Sequence, residues 1–407
     1  MMPSSRVIFI NRFYWPEIPA TAQLLTDLAE GLSKTHQVTV ITSGPDGLTT
    51  MENRHGVEIV RVSEHASGRA SLMRRFAHSA RFRRGAVRWL KANATESDIL
   101  VCMTDPPLIG TAMARVAREK KLTLIHWVQD IFPEVAVAVF GIPLLNVFRR
   151  ARDAGWQAAR LCVMPGEAMR AMVITRGMDA SRTLTIPNWS PVGLSPAPLA
   201  AIEVWKDSHK LAGKFVVMYS GNFGRVHDFR WFVPLAKLLG GNPRVVFVLV
   251  GHGPRLAALQ KEIARARLTN VRVLPPTSRE DLGVTLSAAD AHLVSLRAGC
   301  ENLVFPSKLA GIAAVGRPAL VVGPAECDPA REVTVHDWGR GFTADHVAEL
   351  ASTLSTWTAD ATKWQTLCAH ARLAAQQMQF ERSLAAWERI LVSHGSSVPV
   401  SPTVAIT

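Results

Sequence analysis

The 407-residue sequence predicts an α/β protein of two doubly wound, Rossmann-like domains, and three observations carry that prediction. Short apolar runs alternate with stretches of helical spacing, and they do so in two successive series. A proline-bearing segment, residues 190–198, separates the two series. The stretch from His292 to Gly323 shows the repeating unit whole, as strand, polar loop, helix and strand.

In the first series, Arg6 to Asn11 has the length and composition of a buried strand. Ala22 to Leu32 follows with helical spacing (Leu24, Leu25, Leu28, Leu32), and Val38 to Thr42 is the next strand. Pro19-Ala20-Thr21 is the turn between strand and helix, at the edge of the sheet where open α/β folds bind ligands. Further strands fall at Asp98 to Thr104, Leu122 to Val128, Leu161 to Met164 and Leu184 to Pro187. The run from Leu122 closes as HWVQDIFPE, which sets His126, Gln129 and Asp130 at or just past a strand's C-terminal end. Taken locally, His126 reads as a core histidine bonded to backbone and Asp130 as a helix N-cap.

The second series opens with a strand at Phe215 to Tyr219 and a loop, Ser220 to Arg225, holding Gly221, Asn222 and Gly224. Two glycines after a strand let backbone N–H groups approach an anion closely. Val245 to Gly251 and Val271 to Leu274 are strands, and Ser278 with Asp281 caps a helix. Ala291 to Ser295 is a strand, and Pro306 then suits the first turn of a helix. Gly316 stops that helix, Pro318 bars its continuation, and Ala319 to Val322 is the next strand. Ser307 and Lys308 sit at the helix start, where unpaired N–H groups, the helix dipole and a lysine charge together attract phosphate; the plainer reading is a cap and a solvated lysine.

A net charge of +13 points to an anionic partner: nucleotide, nucleic acid or acidic lipid. The most basic window, Arg69 to Lys91, carries Arg69, Arg74, Arg75, Arg81, Arg83, Arg84, Arg88 and Lys91 with no acid, interleaved with Leu72, Phe76, Trp89 and Leu90. Such a stretch can lie on an anionic membrane, each basic residue contributing roughly 1 kcal/mol near the surface. No nucleic-acid-binding module surrounds it. Five scattered cysteines form no CxxC pair, which fits a reducing cytosol and supports neither a zinc site nor a disulfide framework. Val7 to Ile10 is too short for a signal peptide's apolar core, and no apolar run is long enough to span a bilayer.

The stretch VSLRAGCENLVFPSKLAGIAAVGRPALVVG, with HWVQD and SGN, resembles the retaining family 4 glycosyltransferases. It is most similar to the bacterial branch that builds exopolysaccharide and O-antigen repeats, typified by colanic-acid-type and fucosamine-type transferases. The resemblance implies the GT-B architecture, two such domains facing across a cleft. It divides the chain at 1–189 and 190–377, with a C-terminal helix at about 378–395 returning to the first domain; residues 396–407 read by themselves as a disordered tail. The implied activity moves a sugar from a nucleoside diphosphate sugar to a lipid-linked or oligosaccharide acceptor, with retention.

The resemblance also implies residue roles. Donor contacts would come from Gly221, Asn222, Gly224, Arg225, Gly251, Arg297, Ser307, Lys308 and Asp328, and acceptor-side contacts from Ala20, Thr21 and Gln129. Asp130, His126 and Lys308 would be catalytic. The family's two glutamates, eight apart, would fall on Leu303 and Gly311, so their roles are not carried over; Glu301 is near but out of register. The chain has no Asp-x-Asp metal motif, so neither metal nor cofactor is expected. The expected location is the cytoplasm, on the inner face of the plasma membrane, with no nucleic-acid partner. A nucleotide-sugar epimerase, a non-catalytic nucleotide-sugar-binding subunit and a basic nucleic-acid-binding protein remain as alternatives.

Overall fold

The structure, a computed structural model, describes residues 5–45, 48, 50–64 and 72–392, less the side chains of 72 and 75. The expected tail, the last three residues of the expected C-terminal helix and Arg69 lie outside the described residues. The chain forms two compact units: one of residues 1–188 and 380–407, the other of residues 189–379.

The first unit is built on an eight-stranded sheet. Its strands are β1 (Val7–Ile10), β2 (Val38–Gly44), β3 (Met51–Arg54), β4 (Val57–Glu64), β5 (Ile99–Cys102), β6 (Thr123–Trp127), β7 (Leu161–Met164) and β8 (Thr183–Thr185). Their order is β3-β4-β2-β1-β5-β6-β7-β8. Every neighbouring pair is parallel except β3 with β4. The order reverses between β1 and β5, so the unit's topological switch point lies beyond Ile10 and Cys102.

Two strands were not anticipated. β4 alternates apolar and polar residues and carries a legible strand signal; β3 is a half-exposed edge strand without one. The first helix begins at Ala20, so Ala20 and Thr21 belong to its first turn and not to the preceding loop. The basic window folds as the helix Leu72–Asn93. Phe82, Ala86 and Leu90 point into the core, whereas Arg81, Arg83, Arg84, Arg88 and Lys91 are exposed. Leu90 is therefore core and not a surface anchor, and Trp89 lies under the Arg6 guanidinium at 5.7 Å. The last described helix, Phe380–Val392, belongs to this unit, with Trp387 edge-on to Trp127 at 5.2 Å.

The second unit holds six parallel strands: β9 (Phe215–Asn222), β10 (Val245–His252), β11 (Val271–Leu274), β12 (Ala291–Ser295), β13 (Ala319–Val322) and β14 (Gly339–Phe342). Their order is β11-β10-β9-β12-β13-β14, with reversal between β9 and β12. Because successive side chains point to opposite faces, Val217 and Tyr219 join an aromatic core with Phe223, Phe232 and Phe247, while Val216 and Met218 pack on the other face with Val246 and Val248. β14 was not anticipated: its Gly-Arg-Gly-Phe sequence has little strand propensity, and its glycines serve close approach. A Cβ at Gly339 would lie 2.0 Å from the Ala319 carbonyl oxygen.

Candidate functional site

The candidate donor site lies at the second unit's switch point. β9 does not end at Tyr219; Gly221 and Asn222 continue the ladder, paired with Gly251 and His252 of β10. The expected loop therefore starts three residues later. Gly221, Gly251 and Gly253 adopt φ of +123°, +137° and +146°, a region that favours glycine. A Cβ at Gly251 would stand 2.0 Å from the Gly221 carbonyl oxygen, so only glycine lets these two strand ends meet. The Tyr219 hydroxyl donates to the Asn222 carbonyl (3.0 Å), and the Phe223 amide donates to the His252 carbonyl (2.7 Å), which fixes the turn.

Lys308 is the first residue of the helix Lys308–Ala314, and Ser307 precedes it without a side-chain cap hydrogen bond. The Lys308 ammonium is buried, 3.6 Å from the centroid of the Tyr219 ring, and has no hydrogen-bond acceptor. A Cβ at Gly221 would lie 3.4 Å from it, so bare glycine backbone borders the charge. Burial lowers the ammonium's pKa to about 7. Lys308 is thus not the solvated helix-start lysine of the plainer reading.

His227 is buried, with Nδ1 2.6 Å from the Ser295 carbonyl oxygen. Burial, then the Lys308 charge, hold it neutral with a pKa near 3. The Arg297 amide donates to the Val226 carbonyl (2.8 Å), tying the loop after β12 to the loop after β9. Arg225 is exposed and Arg297 half-buried. Asp328 opens the helix Asp328–Val335 as its first residue; the cap position is Cys327, so Asp328 is no N-cap. Glu301, out of register with the family's glutamates, has its Oε2 buried without a hydrogen-bond partner; the nearby Cys327 thiol is raised chiefly by burial, with the Asp328 and then the Glu301 charge adding to it.

The first unit carries a second constellation, along the C-terminal ends of β1, β5 and β6. Arg12 and Asp105 flank the switch point and pair at 2.9 Å. Next to them is a pocket lined by Thr104, Gly110, His126, Asp130, Arg152 and Trp156, among others. Asp130 is exposed at this pocket, and its amide donates to the Thr104 hydroxyl (3.3 Å). It caps no helix, because the next one starts at Glu134 behind Pro133. The surrounding protein, and then the Asp105 charge, raise its carboxyl pKa to about 6.

His126 is buried, with burial lowering its pKa to about 4. Its ring is hydrogen-bonded to the Gly155 backbone, and Nε2 has no partner. Gly110 makes room for that ring, since a Cβ there would meet the imidazole at 2.3 Å. Gln129 is engaged otherwise: its amide exchanges two hydrogen bonds with Asn188, at 3.1 and 3.0 Å, and is buried. Arg12 and Asp105 were not singled out in the sequence. An Arg just after the first strand and a DPP turn after the strand at Asp98 to Thr104 were the available signals. Among the described residues no three His, Cys, Asp or Glu side chains group as metal ligands, and no helix is long and apolar enough to cross a membrane.

The sequence profile of Glycosyltransferase Family 4 matches residues 21–190. An Escherichia coli (strain K12) protein named as a colanic acid biosynthesis glycosyl transferase, WcaI, is 30% identical over 39% of this chain and 39% of its own. A Pseudomonas aeruginosa protein named as a glycosyltransferase, WbjE, is 25% identical over 57% of this chain and 59% of its own. The chain thus spans less than two thirds of the length of either curated relative. Among solved structures, Anabaena HepE (Alr3699) in complex with UDP superposes with a TM-score of 0.74 at 16% identity, covering 95% of this chain and 100% of that one. Two parallel-sheet units with reversed strand order, the fold shared with HepE, and the matched profile agree: residues 21–190 carry the Glycosyltransferase Family 4 profile, and the chain has the fold of the GT-B glycosyltransferases.

Proposed function

We propose that the chain transfers a sugar, with retention and without a metal, from a nucleoside diphosphate sugar to a lipid-linked or oligosaccharide acceptor in bacterial polysaccharide biosynthesis. The relatives named for polysaccharide and glycosyl transfer support the pathway, and the UDP held by HepE supports the donor class. The observation that carries the reading is Lys308: a buried ammonium with no acceptor, bordered by bare glycine backbone. An uncompensated buried charge is costly, and a diphosphate would satisfy it.

In this reading the bond from the anomeric carbon to the diphosphate oxygen breaks, and the nucleoside diphosphate leaves. Lys308, with Arg225 or Arg297 and the backbone from Gly221 to Gly224, takes up the developing charge. Gly251 keeps the turn narrow, Ser307 and Asn222 border the donor, and Asp328 faces its sugar or ribose. The acceptor hydroxyl attacks on the face the leaving group vacates, and a donor phosphate oxygen receives its proton. Asp130 and His126 orient the acceptor or the reacting sugar, with Ala20 and Thr21 on the acceptor side. The helix Leu72–Asn93 presents its arginines to an anionic membrane at the cytoplasmic face.

The test is thermal stabilisation by a panel of nucleoside diphosphates and their sugars, with and without EDTA. UDP or another member should stabilise the protein equally with EDTA present. Loss of stabilisation on chelation would remove the metal-free mechanism, and no response to any member would remove the donor site.

A further inference from the structure

Five large apolar side chains, Phe140, Ile142, Leu144, Val147 and Phe148, stand between 40% and 80% exposed within nine consecutive residues. They occupy the end of the helix Glu134–Phe140 and the 3-10 turn Pro143–Phe148. Gly141, at φ +67°, turns the chain between the two. A soluble surface tolerates scattered apolar residues, but a cluster of this kind marks an interaction site.

Its surroundings define the partner. Glu134 is the only acid between Ile131 and Arg152, and it is buried, paired with Arg149 at 3.0 Å, Arg152 at 2.9 Å and Arg176 at 3.4 Å. Arg150 is exposed where the cluster ends. Asp153 also pairs with Arg152 at 2.6 Å, and Asp130 is exposed at the neighbouring pocket, so from Ile131 to Arg152 the patch is an apolar tip on an arginine-rich base with no exposed carboxylate of its own. A second copy of this chain would bring arginine against arginine, whereas a bilayer offers hydrocarbon to the tip and phosphate to the base.

A continuous layer of helices joins the patch to the basic surface already described. The 3-10 turn packs on the helix Arg149–Ala158, that helix on Ile109–Lys120, and Ile109–Lys120 on Leu72–Asn93. We propose that residues 140–148 form a wedge that inserts into an anionic lipid surface, while the arginines of Leu72–Asn93 supply the longer-range attraction. This rests on the reading of a membrane-bound acceptor and adds the element that would hold the enzyme to the bilayer once salt has screened its charges.

The experiment is co-sedimentation of the full chain with vesicles of phosphatidylglycerol and phosphatidylethanolamine, across a salt series. Leu144→Ser with Val147→Ser changes two exposed side chains, so the melting temperature and its shift with UDP should match the wild type. The double variant should partition to vesicles at least tenfold less, and the fraction bound at high salt should vanish. Arg81→Glu, Arg83→Glu and Arg84→Glu together should remove only the salt-sensitive fraction. A double variant that partitions like the wild type overturns the wedge, and so does a wild type that never sediments. A variant that converts a dimer to a monomer and leaves lipid binding intact assigns the patch to a second copy instead. Vesicle binding without any response to nucleoside diphosphates would leave the wedge standing and defeat the transferase reading.

Discussion

Replacing Lys308 with Met should stabilise the empty protein while weakening its hold on nucleotide. The stem survives and the charge goes. In the wild type the ammonium has no acceptor and gains only the Tyr219 ring, 3.6 Å away. A pKa lowered from 10.5 to about 7 by burial corresponds to an upper bound of about 5 kcal/mol, at roughly 1.4 kcal/mol per unit. Relaxation and partial exposure of the residue reduce this to a realistic gain of roughly 2–4 kcal/mol, or a melting temperature higher by about 5–10 °C. Because the folded pKa of a base is depressed, the cost is fully present below about pH 7 and fades as pH rises toward 10.5. The variant's advantage should therefore be largest near pH 6 and small near pH 10.

Ligand binding should move the other way. Losing a charge-assisted hydrogen bond to the diphosphate costs about 1.5–3 kcal/mol, which is roughly 10- to 150-fold in affinity. Turnover should drop further, because that charge grows in the transition state. The wild type should also take up a proton on binding UDP above pH 7, visible as a buffer-dependent calorimetric enthalpy, and the variant should not. A Lys308→Met protein that melts below the wild type and binds UDP equally well would refute the reasoning, since the ammonium would then have a partner in the empty protein and none in the complex.

Asp130→Asn should lower kcat by about 10²–10⁴-fold with donor affinity within a few-fold, and should abolish an acidic limb in the rate profile near pH 6, where the wild-type carboxylate becomes ionised. Normal turnover in that variant would return Asp130 to a passive role. Gly251→Ala should destabilise the protein by roughly 2–4 kcal/mol, because the added carbon lies 2.0 Å from the Gly221 carbonyl oxygen at a φ of +137°. An unchanged denaturation midpoint would mean that the two strand ends yield freely.

The sequence by itself determined the βα alternation, because buried parallel strands must be apolar throughout and their helices must repeat near every fourth residue. β7, β11, β12 and β13 fall on the residues the pattern assigned, since each is a short apolar run between breakers. β3 and β14 escaped because an edge strand and a glycine-rich strand owe their place to neighbours and not to their own propensity. The family resemblance directed attention to HWVQD, SGN and PSK.

Tertiary structure alone decided what those residues touch. Lys308 and Tyr219 are 89 positions apart, and only the β9–β12 reversal brings one onto the ring of the other. The pairing of Gln129 with Asn188 and of Arg12 with Asp105 likewise depends on which strands are adjacent, which local pattern does not encode. The same holds for the apolar segment from Val135 to Phe148, which Gly141, Pro143 and Asn146 interrupt. Burial is a property of what packs against a surface, and the five side chains from Phe140 to Phe148 stay 40% to 80% exposed in the folded unit.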